Sequence, residues 1–410
     1  MFVAITNTPR DYAWGSKSAI AELLGREPSG RPEAELWLGA HAGSPSRIVT
    51  PRSVDAPDLA VLVERDAARA LGAGSFARYG ARLPFLLKVL AAAAPLSLQA
   101  HPSSEQALAG FELEEEAGVP IDATDRNYKD PFHKPELIVA LSPDFEALSG
   151  FRPVEETVSV LTALRELDAA TSNPQPDPLD VFEAHLLAED PLRDTVEWLL
   201  RDGRGEDSGE VSWLVERVVA LAGEAGASAS PYAREFGTVR DLARAYPGDP
   251  GIVLSLLLNR VTLHAGEALY LPAGNIHAYL SGLGIELMAA SDNVLRGGLT
   301  PKHIDVDELL EVLDFTPLPI PLLEAEHPAP GLSVFRPDVP DFVLYRVEGG
   351  GEQTLELRGA AIGLCTSGAV RLSGAVSSAS VTRGEALFIT PDEGPLAVVA
   401  NGTFFLATVG

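Results

Sequence analysis

Residues 266–272 of this chain read GEALYLP, and residues 384–391 repeat the stretch as GEALFITP. Each copy places a short apolar strand between a glycine and a proline, a pattern typical of small β-sandwich barrels of the jelly-roll type. The first copy runs on to His277, whereas the second runs on to Asp392-Glu393-Gly394 without a histidine. We therefore expect two related barrels, of which only the first carries chemistry.

Away from this repeat, the character of the sequence changes twice. Residues 153–248 carry apolar residues at helical spacing, while the flanking regions read as short strands separated by Gly, Pro and Ser, with strands returning at Gly251. The sequence therefore predicts a mainly β protein with a helical insert. We expect a discontinuous catalytic cupin or jelly-roll barrel at 1–152 and 249–325, an α-helical domain at 153–248 and a degenerate C-terminal barrel at 326–410.

Local signals predict the individual helices. Two are expected at residues 17–24 and 58–71, and a third after Ser103. Within the insert, the apolar spacing predicts helices at 154–167, 178–187, 191–200, 211–221 and 239–245. The charged, glycine-rich residues 201–210 are expected to form a mobile loop between two of them.

The charge of the chain excludes several classes of partner. Its 410 residues include 58 acidic and 31 basic side chains, for a formal charge of -27. A field of that sign repels nucleic acid and anionic membranes, so neither is an expected partner. It also repels a phosphorylated substrate, which would therefore need a local cluster of cations.

Apolar stretches and cysteine content point to the cytoplasm. No uninterrupted apolar run approaches the roughly 18 residues of a membrane span, and the first residues lack the pattern of a signal peptide. The one cysteine, Cys365, lies in an apolar, strand-like run, which predicts a buried thiol and excludes an intrachain disulfide. We expect a cytoplasmic protein, and a monomer because no long apolar seam stands out.

Polar and apolar residues alternate in the stretch 97–101, which reads SLQAH. On a strand, Ser97, Gln99 and His101 would project from one face. Lining a barrel interior with such groups leaves polar atoms that need partners, and a metal or polar ligand would supply them. The alternative is an outward-facing polar strand.

The stretch 133–136 reads HKPE and gives a similar geometry. Lys134 and Glu136 share a face, while His133 faces the other way unless a bulge intervenes. Pro135 cannot donate to a ladder, which favours an edge or a bulge. A surface Lys–Glu pair is the alternative interpretation.

A third histidine stretch follows the first copy of the repeat. A turn after Pro272 delivers His277 to the start of the next strand. Two histidines, a carboxylate and an amide oxygen arriving from separate strands form a plausible set of ligands for a first-row metal. Imidazole and carboxylate suit Zn, Mn or Fe, and the absence of thiolates leaves the choice among them open.

The stretch 285–305 crowds two acids and two cations into a loop-like span. It contains Glu286, Asp292, Arg296 beside a Gly-Gly turn, and Lys302. Arginine and lysine near flexible backbone can bind phosphate. Lys302 also suits the first turn of a helix through 306–313 capped by Thr300, and the two interpretations are compatible.

Together these motifs resemble the type I mannose-6-phosphate isomerases, or phosphomannose isomerases, of the cupin superfamily. The likeness extends from the N-terminus to beyond residue 315, whereas the helical insert and last barrel match only in kind. The matching stretches are 12–17 (YAWGSK), 34–39 (AELWLG), 84–102, 127–130 (NYKD), 133–141 and 277–305. The resemblance implies reversible conversion of mannose 6-phosphate to fructose 6-phosphate through an enediol-like intermediate, with one zinc ion per chain.

Carried over by position, the resemblance also implies roles for individual residues. The implied metal ligands are Gln99, His101, Glu136 and His277. Arg296 matches the catalytic arginine, Ser97 and Lys302 match phosphate positions, and His133, Lys134, Glu286 and Asp292 match residues of ring opening and proton transfer. The chain departs from the family in having Ser103-Ser104 where Asn or Asp and then Lys often follow His-Pro, which removes a cation near the metal.

Two questions stay open at this stage. The general base can be Lys134, Glu286 or Asp292, with Arg296 as electrostatic support. Two alternative functions are a metal-dependent cupin oxygenase, since two His and one Glu resemble the facial triad of non-haem iron, and a non-catalytic module that binds a sugar phosphate.

Overall fold

A computed structural model describes residues 1–49, 54–204, 209–349 and 351–410 of the chain. Its strands are β1 (Phe2–Thr6), β2 (Glu35–Leu38), β3 (Arg47–Ile48), β4 (Phe85–Ala92), β5 (Leu98–Ala100), β6 (Glu136–Ala140), β7 (Asp144–Phe151), β8 (Leu258–His264), β9 (Ala268–Leu271), β10 (His277–Ala289), β11 (Leu295–Gly298), β12 (Glu326–Ala329), β13 (Leu332–Phe335), β14 (Val343–Glu348), β15 (Glu352–Leu355), β16 (Ala361–Ser373), β17 (Ser378–Thr382), β18 (Ala386–Ile389) and β19 (Leu396–Thr408).

Half of the helices of the described residues lie between β7 and β8. They are α1 (Ala19–Leu23), α2 (Leu59–Arg65), α3 (Ala67–Leu71), α4 (Ala73–Tyr79), α5 (Ser104–Glu116), α6 (Val154–Ala170), α7 (Asp177–Leu186), α8 (Pro191–Asp202), α9 (Gly209–Ala222), α10 (Ala233–Ala245), α11 (Gly251–Leu254) and α12 (Val306–Val312). The expectation of a mainly β protein with a helical region is confirmed.

The long strand β10 organises the first sheet. That sheet runs in the order β11-β5-β10-β4-β2, with β6 and β7 also paired to β10, β8 to β7 and β9 to β6. The first residue of β10, His277, is opposite Gln99 of β5, while Glu286 is opposite Lys88 of β4 and Met288 is opposite Glu136 of β6. One strand therefore brings the predicted stretches into register with one another.

The second sheet runs in the order β12-β13-β14-β19-β16-β18-β1-β3, with β15 paired to β19 and β17 to β16. It includes two strands from the N-terminal region, which the sequence analysis grouped with the first barrel. Phe2 of β1 is opposite Ile389 of β18, and Ile5 of β1 is opposite Ile48 of β3. The N-terminal region therefore contributes strands to both sheets.

The two sheets share one apolar core. Leu87 and Val89 of β4 and Leu287 of β10 belong to the same buried cluster as Ile362 and Phe388 of the second sheet. Because side chains alternate along a strand, the residues between them point to the opposite face of the first sheet. That opposite face carries the candidate site.

The helices α6 to α10 lie at the predicted positions, except that α10 begins at Ala233 and not at 239, and two other local predictions were wrong. The helix expected at 58–71 is two helices, because the Asp66 side chain accepts a hydrogen bond from the Arg69 backbone N–H and starts α3. Residues from Gly251 form α11 and a 3-10 turn, and the next strand begins only at Leu258. A fully buried apolar run does not reveal by periodicity whether it is helix or strand.

Two further local expectations concern helix ends. The predicted cap Thr300 is not the cap of α12, since the Asp305 side chain accepts from the Glu308 backbone N–H. The departure Ser103-Ser104 begins α5 with a capping box, in which the Ser103 and Gln106 side chains each bond to the other residue's backbone N–H. Residues 205–208 of the predicted loop 201–210 lie outside the described residues.

The structure also bears on the expected burial of Cys365 and on membrane-spanning helices. Cys365 is fully buried, as predicted. Among the described residues, every helix is too short or too polar to cross a membrane.

Candidate active site

A cavity of about 570 Å³ opens on the polar face of the first sheet. The alternation of β4 and β10 explains its walls: Lys88 points into it from between the buried Leu87 and Val89, and Glu286 does so beside Leu287. The predicted site residues that line it are Ser97, Gln99, Lys134, Glu136, Glu286, Asp292, Arg296 and Lys302. Three separate stretches of sequence therefore meet in one cavity.

Two histidines and one carboxylate converge beneath the cavity. One ligand atom from each of His101, Glu136 and His277 lies within 4.8 Å of the other two, and all three side chains are buried. His101 Nε2 lies 3.4 Å from one oxygen of Glu136, and His277 Nε2 lies 3.4 Å from the other. This is the spacing expected when three groups share one ion rather than bond to each other.

The hydrogen-bond partners of these groups test whether a metal fits. His101 Nε2, His277 Nε2 and Glu136 Oε2 are buried and have no hydrogen-bond partner among the described residues. The other ring nitrogens are used, since His101 Nδ1 lies 2.8 Å from the Asn293 carbonyl oxygen and His277 Nδ1 lies 3.0 Å from the Asn275 carbonyl oxygen. A ring that donates from Nδ1 to a carbonyl leaves a lone pair on Nε2. The donor set therefore fits a zinc ion.

The electrostatics of the three groups also suit a metal. Burial and the nearby Lys134 ammonium lower the pKa of His101 to about 4, so the ring is neutral at physiological pH and its Nε2 is free to bind a cation. Burial opposes ionisation of Glu136, but Lys134 and His101 outweigh it and hold the pKa of that carboxyl well below its usual range. Lys134 Nζ lies 3.0 Å from Glu136 Oε1, which fixes the orientation of the carboxylate.

Gln99 is the fourth predicted ligand. It lies opposite His277 in the pairing of β5 with β10, lines the cavity and is half-buried. Residues directly opposite in adjacent strands point to the same face of a sheet. Its side chain is therefore on the face that carries the two histidines.

A buried charged cluster that the sequence analysis missed occupies one wall. Lys88 Nζ lies 2.9 Å from Glu286 Oε2 and 3.7 Å from Glu35 Oε1, and all three side chains are buried. Burial and the nearby carboxylates of Glu136 and Glu35 raise the pKa of Glu286, although Lys88 opposes that shift. Burial disfavours the Lys88 ammonium, but the two carboxylates outweigh it and raise its pKa. The single lysine inside the apolar run of β4 is the one local sign of this cluster in the sequence, and its partners lie on other strands.

Two cations form another wall of the cavity. Burial lowers the pKa of the Arg296 guanidinium, and burial together with Arg296 lowers the pKa of Lys302. Neither side chain has a salt bridge with an acidic group of the described residues. Ser97 lines the same cavity. In a chain with a large excess of acid, two unneutralised cations, one on β11 and one just after it, are suited to an anionic ligand.

Asp292 and His133 differ in their relation to the cavity. Asp292 lines it, and His41 Nε2 lies 3.2 Å from Asp292 Oδ1, a contact that outweighs burial and lowers the pKa of the carboxyl. His133 does not line it: its Nε2 lies 2.9 Å from Asp341, beside the second sheet. Strand alternation predicted that His133 faces away from Lys134 and Glu136, and the catalytic part that the resemblance implies for it stays a prediction.

Aromatic side chains complete the wall, and the sequence analysis missed them as site residues. Tyr12, Trp14, Trp37 and Tyr279 all line the cavity. The Tyr279 hydroxyl is buried without a hydrogen-bond partner, and burial and the nearby Glu286 raise its pKa. Tyr279 follows His277 by two residues on β10, so the alternation of that strand was the signal that could have found it.

The chain is similar to known phosphomannose isomerases in sequence. A family model for the phosphomannose isomerase type I catalytic domain matches residues 2–154. Mannose-6-phosphate isomerase of Escherichia coli K12 is 39% identical over 403 residues, covering 97% of each chain. The human mannose-6-phosphate isomerase is 34% identical over 408 residues, covering 94% of this chain and 92% of its own.

Solved structures show the same similarity. A lysine-to-alanine mutant of phosphomannose isomerase from Salmonella typhimurium superposes with a TM-score of 0.86 at 35% identity, covering 100% of this chain and 99% of the other. A zinc-bound mannose 6-phosphate isomerase superposes with a TM-score of 0.85 at 35% identity and the same coverage.

Proposed function

The chain belongs to the type I phosphomannose isomerase family, and from that premise we propose the part that each residue of its cavity plays. The protein is a zinc-dependent aldose–ketose isomerase that interconverts mannose 6-phosphate and fructose 6-phosphate. One observation on this chain itself carries the conclusion. His101 Nε2, Glu136 Oε2 and His277 Nε2 are buried without hydrogen-bond partners, and they lie beneath a cavity lined with cationic side chains. An oxygenase or a non-catalytic module does not account for this family membership.

The metal ligands of the proposal are His101, Glu136 and His277, with Gln99 as the fourth. The three unpartnered atoms support the first three, and the cross-strand position of Gln99 opposite His277 supports the last. A zinc ion held by these residues would act as a Lewis acid and stabilise the negative charge that develops on the sugar during proton transfer. Lys134 forms an ion pair with Glu136 and so orients that ligand, and it also lines the cavity, where its ammonium can donate to substrate.

The phosphate of the substrate is proposed to bind at Ser97, Arg296 and Lys302. The free cations of this wall support the assignment, because a phosphate dianion needs compensating charge in a chain of this acidity. Arg296 is opposite Gln99 in the pairing of β11 with β5. It therefore lies beside a proposed metal ligand in the same cavity as Lys302, and we propose that it also stabilises the oxyanion of the enediol-like intermediate.

Glu286 is proposed as the base that moves the proton between C2 and C1. Its raised pKa makes it a stronger proton acceptor than an ordinary carboxylate, and Lys88 at 2.9 Å favours its ionised form before reaction. Lys134 is less suited to this part because it is engaged with a metal ligand. Asp292, held by His41, is assigned to ring opening, and His133 has no direct part in the proposal.

The domain organisation remains that expected from the sequence. We propose two barrels of the cupin type, a catalytic one at 1–152 and 249–325 and a degenerate one at 326–410, with the helical insert at 153–248 between the two parts of the first. Strands β1 and β3 fall within the first range but pair in the C-terminal sheet, and this joins the two barrels. We further propose a cytoplasmic monomer without a nucleic-acid or membrane partner, in keeping with its charge.

A coupled assay tests the function directly. Protein stripped of metal with a chelator should convert mannose 6-phosphate to fructose 6-phosphate only after zinc is restored. Full activity of the stripped protein would contradict the metal's part in the reaction. Oxygen consumption with added iron, in place of isomerisation, would support the oxygenase instead.

Replacing Lys302 by alanine tests the phosphate wall. We expect KM for mannose 6-phosphate to rise about ten- to a hundredfold with a smaller change in kcat, because a charged hydrogen bond contributes about 1.5–3 kcal/mol. The matched control is Lys17→Ala, which removes an exposed lysine that does not line the cavity. Equal KM values for the two variants would remove Lys302 from the phosphate site.

Replacing Tyr279 by phenylalanine tests the unpartnered hydroxyl. We expect kcat/KM to fall about tenfold, since a buried hydroxyl that bonds only to bound substrate contributes about 1–1.5 kcal/mol. The free enzyme should lose no stability, because the hydroxyl has no partner there. A loss of stability without a loss of activity would show that the hydroxyl serves the fold.

A further inference from the structure

The turn between Arg296 and Lys302 has an unusual backbone. Leu299, with φ of 55°, is the one non-glycine residue of the described chain that has a positive φ, and Gly298 before it has φ of 132°. The left-handed region is unfavourable for a branched side chain such as leucine, because Cβ approaches the following carbonyl. Contacts elsewhere must therefore hold this turn in place.

Asp249 makes those contacts. Its Oδ1 accepts from the Leu299 backbone N–H at 2.9 Å and from the Gly251 N–H at 2.8 Å, while its Oδ2 accepts from the Thr300 N–H at 3.3 Å. Arg204 donates to Oδ2 at 2.8 Å and to the Thr300 carbonyl oxygen at 3.2 Å. One carboxylate thus bonds the two residues at the centre of the strained turn.

The backbone of the turn at Gly298 and Leu299 packs against the backbone of Gly251 too closely for the two to move independently. A Cβ added at Gly298 would meet the Gly251 Cα at 3.0 Å, and one added at Gly251 would meet the Leu299 backbone nitrogen at 3.0 Å. Tyr246 extends the contact to the other phosphate residue, since its hydroxyl donates to the Pro95 carbonyl oxygen at 2.7 Å, two positions before Ser97. The segment 246–251, where the helical region returns to the first sheet, therefore touches both stretches that carry the phosphate wall.

We propose that Asp249 is a positioning residue that sets the affinity for the substrate phosphate by holding the Gly298–Thr300 turn and, through it, Lys302. This inference rests on the proposed phosphate site. Asp249 does not line the cavity, so it acts through the turn and not by contact with substrate. The helical region thereby takes part in substrate binding without contributing a catalytic group.

Asp249→Asn is the decisive variant. Asparagine keeps one oxygen for Leu299 and Gly251 but places an NH₂ group against the Thr300 N–H and Arg204, neither of which can accept from it. We expect KM for mannose 6-phosphate and the inhibition constant of inorganic phosphate each to rise about tenfold, with kcat and zinc content little changed. Asp249→Ala should raise both constants further.

The control is Asp66→Ala, which removes another aspartate that caps backbone, at the start of α3 and away from the cavity. It should leave KM and the inhibition constant unchanged. An Asp249→Asn enzyme with parental values for both constants would overturn the proposal.

A double-mutant cycle with Lys302→Ala separates this proposal from the one on which it rests. If Asp249 acts through Lys302, Asp249→Asn should raise KM little further once Lys302 is alanine. An equal rise in both backgrounds would overturn the positioning part while leaving the phosphate site intact. If Lys302→Ala itself leaves KM unchanged, the phosphate assignment fails first.

Discussion

Replacing His277 by alanine is expected to release zinc and to lower kcat/KM about a thousandfold or more. The imidazole is fully buried, and its Nε2 has no partner other than the proposed ion, so nothing else replaces the lost ligand. A metal that stabilises an oxyanion supplies several kcal/mol of transition-state stabilisation, and each 1.36 kcal/mol is about tenfold in rate. Zinc content after gel filtration and the coupled assay measure the two effects separately.

The control for this substitution is His264→Ala. His264 is an exposed histidine at the end of β8, and its ring Nδ1 lies 3.2 Å from Asp144 Oδ1 of β7. Its loss should change neither zinc content nor activity. Gln99→Ala should give a smaller loss than His277→Ala, since a neutral amide oxygen is the weakest of the four donors. A His277→Ala protein that keeps its full zinc content would overturn the ligand assignment.

The sequence predicted the candidate site best where its residues lie along a strand, because alternation then indicates which side chains share a face. In the stretch 97–101 the pattern placed Ser97, Gln99 and His101 on one face. Ser97 and Gln99 line the cavity, and His101 lies with Glu136 and His277 in the candidate metal site. The same pattern placed His133 on the face away from Lys134 and Glu136, and it does lie outside the cavity, beside Asp341. Local periodicity therefore predicted orientation well.

Periodicity could not predict which distant segments pair with one another, nor the type of a segment that is buried on every side. The pairing of Phe2 with Ile389 joins the two ends of the chain, and nothing in either strand encodes its partner. Lys88 reads as one polar residue in an ordinary apolar strand until Glu286 lies opposite it across the sheet. The helix at Gly251 was read as strand because every residue there is buried, which leaves no periodic signal.

Replacing Glu286 by glutamine is expected to lower kcat about a hundred- to ten-thousandfold while zinc content stays the same. Glutamine keeps the size of the side chain and can still accept from Lys88 through its amide oxygen, but it cannot take up a proton from carbon. General base catalysis contributes a factor of about this size. The exposed Glu112→Gln on α5, outside the cavity, is the matched control.

Hydrogen exchange identifies the base more directly than the rate does. Incubated in D₂O with the parent enzyme, mannose 6-phosphate should gain deuterium at C2 if the base exchanges its proton with solvent during the lifetime of the intermediate. Glu286→Gln should lose exchange and isomerisation in parallel, because both depend on the same proton transfer. Lys134→Met should weaken zinc binding instead, since it removes the 3.0 Å contact with Glu136. If Lys134→Met stops exchange in zinc-loaded enzyme while Glu286→Gln retains it, the base is Lys134 and Glu286 serves only to balance the charge of Lys88.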